Sequence, residues 1–278
     1  MKALVVLLLL VATAHADKAA VDKLVRTHLS ALTRRNVLAD DAATKTLAKD
    51  AWLIATTGQR VKGLEEIEMF PQTGTDIEIS STVASLAVSE PAGHAAWFHA
   101  VVEGKIVWKH GNATKPLFRV SGIAVDDHGW KLAAVIYSRA LPDKVLMAAA
   151  TPSMAGDGVV ADEDQLTKAF VGMFPSALGV WIGPGAIANG TAPTELATGR
   201  KVAALVGSWD KVGLHLNSAK ARAFGDGGLA FAYGDVWLRG AKAGTAVPLV
   251  VGAILVPGEG NKWQWVSLNF ATPVPVPD

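Results

Sequence analysis

The sequence has no cysteine among its 278 residues. This absence excludes disulfide bonds, thiol-based catalysis and metal sites built from thiolates. A chain without disulfides depends on the burial of apolar surface for its stability, and a chain of this length can bury enough. Because 50% of the residues are hydrophobic, the sequence predicts sizeable cores in about two domains.

Charge is also scarce. Charged residues make up 18% of the sequence and the formal net charge is +1, whereas about 25% charged residues is typical. Nucleic-acid binding needs a clustered basic face, so we expect no nucleic-acid partner. The sequence lacks a Gly-x-Ser-x-Gly elbow and a phosphate-binding loop, and His94 and His99 would face opposite sides of a strand. We therefore expect no cofactor and no metal site.

The N-terminus carries an unbroken apolar run at residues 4–11. Lys2 precedes the run and the small-x-small sequence Ala14-His15-Ala16 follows it, so residues 1–16 are typical of a signal peptide. The run is too short to cross a bilayer, which takes ~20 apolar residues, and no later segment is long and apolar enough. We predict cleavage near Ala16 and export to the periplasm or the cell exterior, with no integral membrane segment. A buried N-terminal helix is the alternative.

The rest of the chain divides into two parts with similar patterns. Residues 142–161 are rich in Ala, Pro, Gly and Ser, which is typical of a linker. They separate a first domain at 17–141 from a second domain at 162–278.

Each domain begins with an amphipathic helix. Apolar residues recur at the spacing that buries one helical face, and the two sets match position by position. The first set is Val21, Leu24, Val25, His28, Leu29 and Leu32. The second set is Leu166, Ala169, Phe170, Met173, Phe174 and Ala177. Pro175 predicts a kink or an end in the second helix.

Each domain ends in a run of strands. A segment containing Gly58 or Gly199 comes first and predicts the start of a short helix. Short turns join the strands that follow, which implies an antiparallel meander. In the first domain the predicted strands are 76–89, 94–103, 117–125 and 130–139, with an additional short strand at 105–109. In the second domain they are 211–223, 228–239, 247–256 and 262–271.

A helix, a short helix and four antiparallel strands define an α+β domain. With this order, the Gly58 and Gly199 segments and the closing hairpins that carry Trp130 and Trp263, both domains resemble the SnoaL-like branch of the nuclear transport factor 2-like (ketosteroid isomerase-like) superfamily. The resemblance implies two tandem cone-shaped domains. Each would be a curled antiparallel sheet wrapped around a long N-terminal helix, with a pocket inside the cone.

The resemblance leaves three functions open. Members of the superfamily include ketosteroid isomerase, polyketide cyclases, dehydratases and proteins without known activity. The chain would bind a small apolar ligand without catalysis, act as an isomerase, cyclase or dehydratase with a pocket Asp or His as proton shuttle, or form a structural pseudo-dimer with filled cones. Whether it is an enzyme stays open at this point.

Strand alternation supplies the candidate site residues. Tyr233, Asp235 and Trp237 share one face of a strand, with Leu229 and Phe231. Alignment of Gly104 with Gly240 sets Trp97 against Tyr233 and His99 against Asp235. His28 lies on the buried stripe of the first helix. We predict that these six residues line the pockets: Asp235, Tyr233, Trp237, His99, Trp97 and His28. The alternative is a set of hydrogen-bonded core or rim groups.

Two further acids are weaker candidates. Asp50 lies where many members of the superfamily carry an acidic residue, but a capping or turn role is favoured. Glu195 is the nearest acid in the second domain.

The strand at 95–102 is apolar on both faces. A half-exposed antiparallel sheet should be polar on one face, and a large apolar surface must be covered. The second domain offers Ala230, Ala232, Val236 and Leu238 on its matching strand. We predict that the two domains pack sheet against sheet as an internal pseudo-dimer.

Overall fold

The computed structural model describes residues 2–31, 45–68, 77–108, 111–152, 159–174, 177–209, 211, 213–240 and 242–272. The helices are α1 (Lys2–Ala31), α2 (Leu64–Glu68), α3 (Asp143–Ala148), α4 (Gln165–Val171) and α5 (Lys201–Trp209). The strands of the first half are β1 (Leu47–Ile54), β2 (Arg60–Lys62), β3 (Ile77–Val88), β4 (Ala95–Trp108), β5 (Ala113–Thr114), β6 (Leu117–Asp126) and β7 (Trp130–Arg139). Those of the second half are β8 (Thr151–Pro152), β9 (Val160–Ala161), β10 (Ile182–Asn189), β11 (Leu196–Thr198), β12 (Leu214–Phe224), β13 (Leu229–Arg239), β14 (Thr245–Pro257) and β15 (Trp263–Ala271).

The strands form two sheets with the same order. The first sheet runs β2-β1-β7-β6-β4-β3, with β5 beside β4. The second runs β11-β10-β15-β14-β13-β12-β9, with β8 beside β14. Both halves therefore carry the same meander of four long antiparallel strands. This confirms the predicted α+β class and the two tandem domains.

Both sheets also contain parallel pairing, which the sequence did not predict. In the first sheet β1 runs parallel to β7, and in the second sheet β10 runs parallel to β15 and β9 runs parallel to β12. The sequence Gly183-Pro184-Gly185 in β10 is not typical of a strand, because glycine and proline are depleted in strands. The pairing register shifts between Ile182 and Ile187, and proline is tolerated at such irregularities. The additional strand predicted at 105–109 is the end of β4, which continues to Trp108.

The N-terminal helices differ in length. Helix α1 has 30 residues and buries Val21, Val25, His28 and Leu29 in the first half, as its apolar stripe predicts. Leu32 lies outside the described residues. The predicted cleavage at Ala16 falls within α1 and stays a prediction; cleavage would leave this buried stripe on the mature chain.

Helix α4 has only seven residues. Asp164 caps it by accepting hydrogen bonds from the backbone N–H and the hydroxyl of Thr167. The chain continues in turns through Phe174, where Met173 is still buried. Pro175 lies outside the described residues. The helix is therefore shorter than expected, although Phe170 and Met173 of its apolar stripe enter the core.

The segment predicted as a linker is partly structured. It contains α3, β8 and β9, and residues 153–158 lie outside the described part. Leu146 of α3 is 1% exposed and belongs to the core of the second half. The segment therefore contributes to the packing of the second domain as well as joining the two domains.

Three clusters of buried apolar residues account for the packing. The first lies between α1 and the first sheet, and we call its space the first cone. The second lies between the second sheet, α4 and α5, and we call it the second cone. The third combines residues of both sheets, among them Trp52, Ile136, Phe231 and Val250. We call the region between the two sheets the intersheet layer.

Candidate functional site in the second cone

The second cone holds a cavity of about 480 Å³. Ligand pockets usually have volumes of about 300–1,000 Å³ and mostly apolar walls. The apolar lining residues here are Leu146, Met147, Trp209, Leu214, Leu238, Leu249 and Phe270. The polar side chains at the opening are Asp143, Thr191, Glu195, Ser208, Lys211 and Arg239. The cavity thus combines an apolar wall with a polar rim.

Aromatic residues form the centre of the wall. Trp209 is the last residue of α5, and with Val202 and Val206 it forms a stripe that faces the cone. Its ring meets Phe270 of β15 edge to face, with the centroids 5.0 Å apart, an arrangement that aromatic pairs prefer. Trp209 and Phe270 are 5% and 3% exposed. The two rings therefore form a rigid apolar surface.

Residues 190–195, which we call the rim loop, form one side of the opening. Glu195 Oε2 accepts hydrogen bonds from the backbone N–H groups of Thr191 at 2.8 Å and Ala192 at 2.9 Å. Glu195 Oε1 receives only a long 3.4 Å bond from the indole of Trp209 among the described residues. A Cβ atom at Gly190 would collide with the Glu195 carboxylate, so glycine is required there. The loop thus presents a carboxylate with spare acceptor capacity to the cavity.

None of the six predicted site residues lines this cavity. On β13 the cone face carries Ala230, Ala232 and Val236, whereas Tyr233 and Asp235 occupy the opposite face with Trp237. The expectation that Asp235 lines the cone beside Tyr233 and Trp237 is therefore corrected. Strand alternation identifies residues that share a face, but the position of the helices decides which face lies inside the cone.

Asp235 joins the two halves at their surface. Its carboxylate accepts hydrogen bonds from Arg60 of the first half and from Ser218 Oγ of the neighbouring strand. The Asp235 side chain is 43% exposed. Tyr233 lies beside Asp235, and its ring meets Trp52 of the first half edge to face at 5.5 Å. These residues therefore serve contacts between the sheets and line no part of the cone.

His99 and Trp97 lie on the corresponding face of β4, in the intersheet layer rather than in the first cone. His99 is 4% exposed, and its Nδ1 lies 3.0 Å from Ser121 Oγ and 3.4 Å from Asn189 Nδ2 of the second half. Burial and, to a smaller extent, the positive charge of Arg119 together lower the pKa of His99 to about 4. His99 is therefore a neutral residue of the contact between the halves.

The strand register corrects the alignment of the two halves. Each meander has a bulge, opposite Val101 and Val102 in the first sheet and opposite Asp235 and Val236 in the second. Asp235 therefore occupies the position of Val101. Tyr233, two residues earlier, occupies the position of His99.

His28 is the one predicted residue that lies inside a cone. It is completely buried, with Nδ1 2.6 Å from Thr46 Oγ1 and Nε2 hydrogen-bonded to the hydroxyl of Tyr137. Burial raises the pKa of the Tyr137 phenol. The helix match and the hairpin match place Met173 and Phe270 at the corresponding points of the second cone. The first cone thus has a polar centre whose groups are hydrogen-bonded to one another.

The remaining candidates are also placed. Asp50 on β1 forms an exposed ion pair with Arg222 of the second half, so it makes a contact between the halves.

Within the described residues, no group of three or more His, Asp or Glu residues could hold a metal ion. No helix of the described part is long and apolar enough to cross a membrane.

Comparisons with known proteins find similar solved structures, each of which covers about half of this chain. No protein-family model matches the sequence, and no curated protein matches it. A ketosteroid isomerase-like protein from Erwinia carotovora atroseptica is 19% identical with a TM-score of 0.38, over 45% of this chain and 98% of that chain. An NTF2-like superfamily protein from Salmonella enterica serovar Typhimurium is 17% identical with a TM-score of 0.39, over 48% and 94%.

The association domain of C. elegans CaMKII is 16% identical with a TM-score of 0.37, over 45% of this chain and 98% of that chain. The two-domain organisation rests on the matching strand orders of the two sheets. Each of these three matches covers less than half of this chain.

Proposed function

We propose that the protein binds a small, largely apolar ligand in the second cone. The observation that carries this proposal is the cavity of about 480 Å³ with its wall of apolar side chains. Burial of apolar ligand surface contributes about 25 cal/mol per Å², and the wall is already formed without a ligand. The first cone takes a structural role in this proposal, because His28 and Tyr137 at its centre are hydrogen-bonded to each other.

Glu195 is the polar group that orients the ligand. Its Oε2 is held by two backbone N–H groups, so the carboxylate has a fixed position on the rim. Its Oε1 can accept a further hydrogen bond from a hydroxyl, amine or amide of the ligand. The ligand would therefore be amphipathic, with its apolar body against Trp209 and Phe270 and a donor group at Glu195.

The proposal extends to export and to an internal pseudo-dimer. The N-terminal sequence through Ala16 supports export. The apolar cluster shared by the two sheets supports the pseudo-dimer, as do the ion pairs from Arg60 to Asp235 and from Arg222 to Asp50. Catalysis by the predicted shuttles is not part of the proposal, because Asp235 and His99 lie outside the cones.

Native mass spectrometry of the purified chain tests ligand binding, together with titration with N-phenyl-1-naphthylamine, a neutral dye that fluoresces in apolar sites. Leu249→Trp would fill the cavity with an indole, and we expect dye affinity to fall at least about tenfold, which corresponds to ~1.4 kcal/mol. Val180→Trp is the matched control, because Val180 is 72% exposed and gains the same indole. Equal dye affinity in Leu249→Trp and the wild type would contradict the proposal.

A further inference from the structure

Arg119 of the first half reaches across the intersheet layer to the rim loop. Its guanidinium donates hydrogen bonds to the backbone carbonyls of Gly190 at 2.8 Å, Ala192 at 2.8 Å and Pro193 at 2.9 Å. Arg119 is completely buried. These three carbonyls belong to the loop whose N–H groups hold the Glu195 carboxylate. The rim loop is therefore held from one side by Arg119 and from the other by Glu195.

The charges support this arrangement. A buried guanidinium is costly unless it is paired and hydrogen-bonded. Burial lowers the pKa of Arg119, and the negative charge of Glu195 opposes that shift. The two side chains thus stabilise each other through the rim loop that lies between them. A change at Arg119 would leave the three backbone carbonyls without this donor and would release the backbone that positions Glu195.

Leu141 of the first half and the adjoining helix α3 also contribute to the surroundings of the cavity. The backbone N–H of Leu141 donates to the carbonyl of Thr191 at 2.8 Å. Helix α3, which follows at once, supplies Leu146 and Met147 to the cavity wall. The first domain therefore positions one side of the cavity in the second cone.

The arrangement has no counterpart on the other side of the pseudo-dimer. Arg119 pairs with Val101 of β4, and Val250 pairs with Asp235 of β13. Since Asp235 occupies the position of Val101, Val250 occupies the position of Arg119. Val250 is an apolar residue of the intersheet layer and cannot donate hydrogen bonds to the corresponding loop of the first half. Among the described residues, the position of Arg119 therefore supports a rim loop in one direction only, from the first domain to the second cone.

We propose that Arg119 is a positioning residue for the ligand site, so that the cavity of the second cone binds ligand only while the first domain holds the rim loop. This inference rests on the proposed ligand binding. It makes the first domain necessary for ligand binding in the second cone.

Two variants of the full chain separate positioning from general stability. In Arg119→Met the carbonyl contacts are lost, and we expect N-phenyl-1-naphthylamine to bind at least about tenfold more weakly. In Arg119→Lys, which keeps the charge and some of the donors, we expect an intermediate affinity. Arg222→Met is the control, because Arg222 also joins the two halves through Asp50 but touches no part of the rim loop. It should bind the dye as the wild type does.

Hydrogen exchange on the wild-type chain gives a test that needs no variant. Coupling between two sites is reciprocal, so saturation with the dye should slow exchange at the amides of Gly190, Thr191 and Ala192. If both Arg119 variants fail to fold, this measurement decides alone. Unchanged exchange at these amides, or wild-type dye affinity in a folded Arg119→Met variant, would overturn the inference. If the wild type binds no dye in the second cone, the proposed function itself fails.

Discussion

The two halves share one topology but distribute their polar groups in opposite ways. The first cone has His28, Tyr137 and Thr46 at its centre, all joined by hydrogen bonds, whereas the second has Met173 and Phe270 at the corresponding points and opens into a cavity. Between the sheets, His99 and Arg119 of the first half stand at the positions of Tyr233 and Val250 in the second. The same scaffold therefore carries a hydrogen-bonded polar centre in one domain and an apolar cavity, the proposed ligand site, in the other.

The largest expected effect concerns the centre of the first cone. His28→Leu would remove the hydrogen bonds between the imidazole ring and the hydroxyls of Tyr137 and Thr46. Loss of a hydrogen bond to a buried polar group costs about 1–3 kcal/mol, so we expect a loss of roughly 2–4 kcal/mol in the free energy of unfolding, measured by urea titration. Met173→Leu, at the matching point of the second cone, should cost less than about 1.5 kcal/mol. Equal effects at the two positions would remove the contrast between the cones.

The second effect is pH-dependent stability from His99. Its folded-state pKa of about 4 lies below the ordinary histidine value of 6.5, so the fold favours the neutral ring. Stability from this residue is complete above pH ~6.5 and falls as the pH drops toward about 4, by at most roughly 3 kcal/mol. His99→Asn should flatten the pH dependence of urea unfolding between these values. The same slope in wild type and variant would show that His99 does not cause it.

The smallest effect belongs to Asp235. Its ion pair with Arg60 is substantially exposed, and such pairs contribute about 0–1 kcal/mol. Asp235→Asn should therefore change stability by less than about 1 kcal/mol and leave the dye affinity of the second cone unchanged. A large loss of dye affinity in this variant would show that Asp235 belongs to the ligand site.

The sequence predicted the elements that depend on local patterns. The apolar stripe with Val25 and Phe170 and the closing hairpins with Trp130 and Trp263 follow from periodicity and turn chemistry. The parallel strand β10 was not predicted, because its glycine and proline residues are not typical of a strand. The alignment of His99 with Asp235 was shifted by two residues because it rested on Gly104 and Gly240, whereas the strand register places Gly104 at the position of Leu238.

The candidate site was less accessible to sequence analysis. Alternation grouped Tyr233, Asp235 and Trp237 correctly on one face, but only the three-dimensional packing shows that this face meets the other sheet. Trp209 follows Val202 and Val206 at helical spacing, so the aromatic wall had a usable signal. The contact of Arg119 with the rim loop joins residues that are far apart in the chain, so no local sequence pattern predicts it.

The most direct test of the account is a crystal structure of the full chain soaked with N-phenyl-1-naphthylamine. The account predicts one dye molecule per chain, bound in the second cone against Trp209 and Phe270, with the rim loop in contact with Arg119 as described. It also predicts that the first cone stays occupied by its own side chains around His28. Dye in the first cone, or in neither cone, would contradict the separation of a structural domain from a binding domain.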